Sequence, residues 1–458
     1  MCGIVGYVGP QNATPILIDG LQRLEYRGYD SAGIAVVSTA GQLQVRKAAG
    51  KLQNLRSAVA LAEPSGQMGI GHTRWATHGR PNDGNAHPHN DCRDAITVVH
   101  NGIIENYAEL RDELLAKGHT FRSETDTEVL AHLIEEALAG GVSLVEAVRQ
   151  TLQRITGSYS IAVIAQEHPD RLIGARNSGP LIAGLGTGEN FLASDIPAIL
   201  RHTREIVVLE EGEVVEVTSD AIAITDLAGN PVTRASLHVD WDLESAEKGG
   251  FPHYFVKEIH EQPQAVRRAL LGRILEQQEG PSLRLAELDR LVASGALDAV
   301  RRITILGCGT SLNAGLLGKQ AIERWARMPV EVCVASEYRY AEPIVGPDTL
   351  CISLTQSGET TDTLAATRLA REHGAPIIAL TNVVGSAITR IADAVLYLQA
   401  GPEISVTATK TFVTMVSVLY LLALWLGERA NTMPEVEARG IEEALLALPG
   451  QMRQVLET

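Results

Sequence analysis

Ile303-Thr304-Ile305-Leu306-Gly307-Cys308-Gly309-Thr310-Ser311 passes from an apolar, β-branched run directly into a glycine-rich turn that ends in hydroxyls. A short apolar run bounded by glycines reads as a buried strand. Helical spacing follows, so the segment predicts a strand, a tight turn, and a helix entered through Thr310 and Ser311. The alternation recurs downstream, with strands predicted at Val330 to Val334, Leu350 to Leu354, Ile377 to Leu380 and Ala394 to Leu398. Apolar strands separated by helices mark an α/β doubly wound parallel sheet. Further on, the uncharged run Thr411 to Gly427 sits at the lower length limit for a membrane span. It contains Thr411, Thr414 and Ser417, and is read as a buried helix packed on the sheet.

Upstream, residues 1–220 have another rhythm. Short alternating stretches at Ile34 to Val37, Ala95 to Val99, Ser160 to Ile164 and Ile206 to Leu209 are broken by Gly, Asn and Asp, as strands and tight turns are. Val129, Leu130, Leu133, Ile134 and Leu138 fall on one helical face. Strand-rich sequence with a few helices predicts an α+β or layered-sheet domain. Residues 221–290 are mixed and charged, and are read as a connector containing some helix.

The 458 residues and 49.1 kDa suggest two or three domains. With 45% hydrophobic and 21% charged residues, the composition excludes a disordered, collagen-like or disulfide-scaffold chain. A net charge of −16 argues against nucleic acid or an anionic membrane as the main partner. Five scattered cysteines (Cys2, Cys92, Cys308, Cys333, Cys351) fit a reducing cytoplasm. The opening Met1-Cys2-Gly3-Ile4-Val5-Gly6 has no targeting character.

Removal of Met1 would leave Cys2 with a thiol and a free α-amine, a nucleophile beside a base of matched strength. Alone, such a cysteine is as easily a small buried hydrophobe. In Gly71-His72-Thr73-Arg74-Trp75-Ala76-Thr77-His78-Gly79, Arg74 is either a surface arginine or a bidentate grip for a carboxylate. His100-Asn101-Gly102 is either a hairpin turn or a two-donor oxyanion hole built from the Asn101 amide and the Gly102 N–H. Thr125 and Glu128 read as a capping box, and Asp126 could accept from an ammonium group. His87, His89 and Cys92 lie close together, but without an evident fourth ligand no metal is expected. Gly184-Leu185-Gly186-Thr187-Gly188 is read as a hairpin rather than a dinucleotide loop. Gly309-Thr310-Ser311 and Thr355-Gln356-Ser357-Gly358-Glu359-Thr360 each open a predicted helix. Their hydroxyls suit either ordinary capping or a phosphate.

Taken together, Cys2-Gly3-Ile4-Val5-Gly6, Arg23 to Gly33, His72 to Gly79, Asn85-Ala86-His87-Pro88-His89 and His100-Asn101-Gly102 resemble the class II glutamine amidotransferases. The resemblance implies an N-terminal-nucleophile α+β layered sandwich over residues 2–220. In it Cys2 is the nucleophile and Asn101 and Gly102 stabilise the oxyanion. Arg74, Trp75, Thr77, His78 and Asp126 surround glutamine. Ser336 to Tyr340, Gln356 to Thr360 and Glu403 to Lys410 resemble a sugar isomerase (SIS) domain. That resemblance implies a domain over 291–430, with Ser311, Thr355, Gln356, Ser357 and Thr360 on a sugar phosphate.

The pairing of the two halves resembles the glutamine–fructose-6-phosphate aminotransferase family. It implies glutamine and fructose 6-phosphate as substrates, glucosamine 6-phosphate as product, no cofactor, a cytoplasmic location, and a homodimer formed through SIS domains. Thr355 stands where the family has serine. Ala408 also replaces a serine, so one sugar contact is lost or moves to Thr407 or Thr409. The family carries two SIS repeats and one is seen here, residues 431–458 reading as the start of a connector to the second. The resemblance therefore implies intact glutaminase chemistry and an incomplete isomerase. The alternatives are a short paralogue with glutaminase activity only, or a non-catalytic sugar-phosphate sensor.

Overall fold

Gly3–Val8 (β1) is buried along its whole length because both of its faces are covered. In this computed structural model, which describes residues 2–38, 40–76, 78–239, 248–277 and 280–458, the chain divides into units Met1–Leu243 and Glu244–Thr458. The first unit is built around β1. Val5 and Tyr7 pack with Leu17 and Leu21 of α1 (Ala13–Arg23), whereas Ile4 and Val8 point to the other side and meet Val99, Ala162 and Ile164. This period-two alternation joins an eight-stranded sheet to a seven-stranded one. The first contains β1, β2 (Ser31–Val37) and β3 (Met68–Arg74), and the second contains β4 (Ile96–Ile104) and β5 (Gly157–Ala165). The outer face of the second sheet, with Val98, Ile161 and Val163, is covered by Leu130, Leu133 and Ile134 of α2 (Glu128–Ala139). The layers run helix, sheet, sheet, helix, the layered α+β sandwich expected. Ile182–Leu185 and Asn190–Ala193 pair antiparallel across Gly188 at φ 70°, so the glycine run is a hairpin.

In the second unit β6 (Arg302–Gly307), β7 (Val330–Val334), β8 (Thr349–Thr355), β9 (Ile377–Thr381) and β10 (Ala394–Tyr397) form one parallel sheet in the order β7-β6-β8-β9-β10. The order reverses between β6 and β8, and the crevice beyond their carboxyl ends is where open α/β sheets receive ligands. α4 (Thr310–Trp325) leaves β6 and α5 (Thr361–Glu372) follows β8. α6 (Lys410–Arg429) is long and apolar enough to cross a membrane, yet 67% of its most apolar window is buried. Its Val418, Leu419 and Leu422 share a core with Ile305 and Ile352.

Residues 221–290, expected as a connector, instead divide between the units. Ile222–Asp226, Pro231–Val232 and Leu237–His238 extend the sheets of the first. α3 (Tyr254–Leu270) places Val266, Ala269 and Leu270 in the core of the second. Its charged exposed face hides that role in the sequence. The final helix, α7 (Glu435–Leu456), adds Ala438 and Leu445 to the same core.

Candidate active site

The register of β1 against β3 sets Gly3 opposite Thr73, which brings Cys2 beside Arg74 and Trp75. Cys2 Sγ accepts from the Trp75 N–H at 3.2 Å and lies 3.5 Å from Trp75 O. From the second sheet, Asn101 Nδ2 donates to Cys2 O at 3.0 Å. Burial pushes the Cys2 thiol up, while the Trp75 hydrogen bond and the Arg74 charge pull it down. Gly102 is exposed beside Asn101 at φ 140°, where an added Cβ would stand 2.0 Å from Ser158 O.

The orientation of Asn101 comes from a residue that sequence reasoning did not single out. His72 Nε2 lies 2.9 Å from Asn101 Oδ1 and 3.1 Å from His100 O. Both partners are acceptors, so Nε2 carries the proton and the Asn101 NH2 must face Cys2. Burial pushes His72 down to about 3, so the ring stays neutral. A histidine in the middle of the buried strand β3 was the available signal, because such a ring needs a partner. His72 stacks on His87 at 4.2 Å, and His87 meets His89 edge-on at 4.7 Å. Burial pushes both of these rings well down too.

Arg74 is buried and turned back on its own loop. Nη2 donates to the carbonyls of His78 and, at 3.4 Å, Gly79, while Nη1 is buried without a partner. Buried Asp126 accepts from the Ile104 N–H through Oδ2 at 2.8 Å. Trp75 is half-exposed and edge-on to Tyr29 at 5.3 Å, and His78 lies edge-on to Tyr107 at 5.4 Å. Thr77 lies outside the described residues. Asp30 was not anticipated either. It orders the loop by accepting from the Ala76 N–H at 2.7 Å and donating its own N–H to Arg74 O at 3.0 Å. Thr125 and Glu128 do not form the expected capping box. Glu128 reaches back to the N–H groups of Arg122 and Ser123, at 2.6 and 2.7 Å, and Thr125 Oγ1 meets His89 Nε2 at 3.1 Å. The trio His87, His89 and Cys92 is split, since Cys92 turns toward His119 and His132.

In the second unit, the turns after β6 and β8 stand on adjacent strands. Ser311 lies in the first turn of α4. Thr355 Oγ1 accepts from the Gly358 N–H at 3.1 Å and lies 3.2 Å from Thr360 Oγ1, at the start of α5. Ser357 Oγ accepts from the Glu359 N–H at 3.2 Å, and the Gln356 carbonyl accepts from the Asn382 N–H at 3.0 Å. Gly358 has φ 69°, and a Cβ there would stand 1.9 Å from Ser386 Oγ.

Residues 72–201 match the family model of the glutamine amidotransferase domain, and residues 297–425 match that of the SIS domain. The chain is 51% identical over 457 residues to the glutamine–fructose-6-phosphate aminotransferase [isomerizing] of Symbiobacterium thermophilum, and 50% identical to that of Thermus thermophilus. Each alignment covers 100% of this chain and 74% of the relative. The chain belongs to the glutamine–fructose-6-phosphate aminotransferase family. The C-terminal domain of glucosamine-fructose-6-phosphate aminotransferase from Francisella tularensis is 33% identical, covering 44% of this chain and 56% of that one at a TM-score of 0.41. In this member of the glutamine–fructose-6-phosphate aminotransferase family, Cys2 precedes the matched residues 72–201 yet is held by Trp75 and Asn101 from within them.

Proposed function

We propose that the chain hydrolyses glutamine at Cys2, and that the released ammonia serves amination of fructose 6-phosphate bound at the turns after β6 and β8. The observation that carries the reading is the hold on Cys2, with Sγ on the Trp75 N–H and the Asn101 NH2, aimed by His72, on the adjoining carbonyl. The raised thiol is not a standing thiolate, so attack needs a base. The nearby imidazoles are poor candidates. Burial keeps them neutral, and none among the described residues is hydrogen-bonded to Cys2 Sγ. The α-amine exposed by loss of Met1 remains.

Sγ attacks the side-chain carboxamide carbon while the α-amine takes the thiol proton. Asn101 Nδ2 and the Gly102 N–H hold the oxyanion. The amine returns its proton to the departing nitrogen, ammonia leaves, and water cleaves the thioester to glutamate. Arg74 Nη1 binds the α-carboxylate, Asp126 takes the ammonium group, and Trp75 and His78 close the loop over glutamine. Ser311, Thr355, Gln356, Ser357 and Thr360 bind the sugar phosphate at two helix starts.

The chain contains one SIS unit, and no described side chain is assigned to the C1–C2 proton shift. Glutamine hydrolysis is therefore the half-reaction proposed for these 458 residues by themselves. Ammonia release from glutamine tests it, with and without fructose 6-phosphate and alongside an assay for glucosamine 6-phosphate. Cys2→Ala should remove ammonia release while fructose 6-phosphate binding persists. Retained turnover in that variant would overturn the assignment. Glutamine hydrolysis without glucosamine 6-phosphate formation marks a chain limited to the first half-reaction. Sugar-phosphate binding with no hydrolysis by the wild type marks a sensor.

A further inference from the structure

Four side chains of the first unit converge away from Cys2. Cys92 follows the short strand His89–Asn90, His119 lies between Tyr107–Ala116 and α2, and His132 and Glu135 lie on one face of α2, three residues apart. One potential ligand atom from each falls within 4.8 Å of all the others. Cys92 Sγ is 3.5 Å from His119 Nδ1 and 3.6 Å from His132 Nδ1. Glu135 Oε2 is 3.1 Å from His119 Nδ1 and 3.4 Å from His132 Nδ1.

A tetrahedral zinc ion with ordinary bond lengths separates its sulfur and nitrogen ligands by about 3.6 Å, and its nitrogen and oxygen ligands by about 3.4 Å. The observed separations approach these edges. The outer ring nitrogens each face a carboxylate, as those of metal-bound imidazoles do, though beyond hydrogen-bond length. His119 Nε2 faces Glu136 Oε1 at 3.6 Å, and His132 Nε2 faces Glu128 Oε1 at 3.6 Å. Nδ1 of both rings faces the same Glu135 carboxylate oxygen, which also accepts from the Cys92 N–H at 3.3 Å. His132 is fully buried and Glu135 largely so, so the donor atoms converge where little water reaches them.

We propose that Cys92, His119, His132 and Glu135 form a structural zinc site. All four ligands come from this chain, and one thiolate, two imidazoles and one carboxylate suit zinc over harder divalent ions. The site ties the Cys92 turn and the 119–123 segment to α2, close in sequence to Asp126. It is independent of the glutamine reading, because the test counts metal.

The purified full chain is incubated with excess zinc chloride and desalted, and its zinc content is measured. Wild type should retain about one zinc per chain, and Cys92→Ser and His119→Asn less than about a tenth of that. Circular dichroism should show both variants folded. Cobalt substitution should give a sulfur-to-cobalt charge-transfer band in wild type that is missing in Cys92→Ser. Wild type holding less than about a tenth of an equivalent would overturn the site. So would a folded Cys92→Ser variant with undiminished zinc.

Discussion

Because His72 Nε2 must donate to Asn101 Oδ1, the carboxamide of Asn101 cannot flip without placing its NH2 against a donor. The proposed oxyanion hole thus depends on a ring that need not touch glutamine. His72→Ala should lower kcat for glutamine hydrolysis about 100-fold, with KM changed only a few-fold. Asn101→Ala should do the same, and the double variant should lose little more, because both act through one amide. His72→Gln, whose amide can donate, should recover part of the rate. Steady-state ammonia release on the four proteins decides it, and additive losses would show that the two residues act separately. Arg74 predicts the opposite split. Arg74→Lys keeps the charge but loses the planar fork whose Nη1 is unpartnered, so KM for glutamine should rise roughly 10- to 100-fold with kcat nearly unchanged.

At the scale of elements, the turn between β8 and α5 is shaped by Gly358. Its φ of 69° and the 1.9 Å approach of Ser386 Oγ leave no room for a side chain. Gly358→Ala should destabilise the protein by about 1–3 kcal/mol. It should also weaken fructose 6-phosphate binding at least as much as Ser357→Ala and Thr360→Ala do together. Calorimetric titration with an unchanged isotherm in all three variants would remove this turn from the sugar-phosphate site. The strands that lead here were legible because parallel strands covered on both faces read as near-continuous apolar runs, as Ile303 to Leu306 and Leu350 to Leu354 do apart from Thr304 and Ser353. β1 was legible as chemistry through Cys2, but its role in joining two sheets was not, since Ile4 and Val5 look alike until their opposite partners are known. The core role of helix Tyr254–Leu270 escaped because its charged face and Pro263 mask the apolar stripe that it buries. Cys92, His119, His132 and Glu135 escaped because only the last two share an element. The other two are brought in by turns whose approach to α2 is tertiary.

Across the whole molecule, an acidic chain of net charge −16 carries some of its carboxyls inside, where they act differently from those on its surface. Glu442 of α7 is buried, and its Oε2 has no hydrogen-bond partner. Burial pushes its carboxyl up to about 7, helped by Glu428, while the Leu283 N–H and Arg439 oppose the shift. Unfolded, the group titrates near its ordinary value of 4.5. Between those two values the folded chain therefore holds a proton that the unfolded chain has lost. Its contribution to stability is fully present below about pH 4.5 and is lost as pH rises through 7. Glu258 shares the direction, pushed up to about 7 by burial, so the second unit as a whole should loosen toward alkaline pH. Glu442→Gln isolates one group, because a neutral amide keeps the shape and has nothing to ionise. Hydrogen exchange of peptides from 435–456, corrected for intrinsic rates, should show protection falling from about pH 5 to about pH 8 in wild type. In the variant it should fall less, by what Glu258 alone contributes, leaving α7 better protected than wild type at about pH 8. Equal pH dependence in the two proteins would mean that Glu442 is already ionised in its pocket, its charge met by the Leu283 N–H and Arg439.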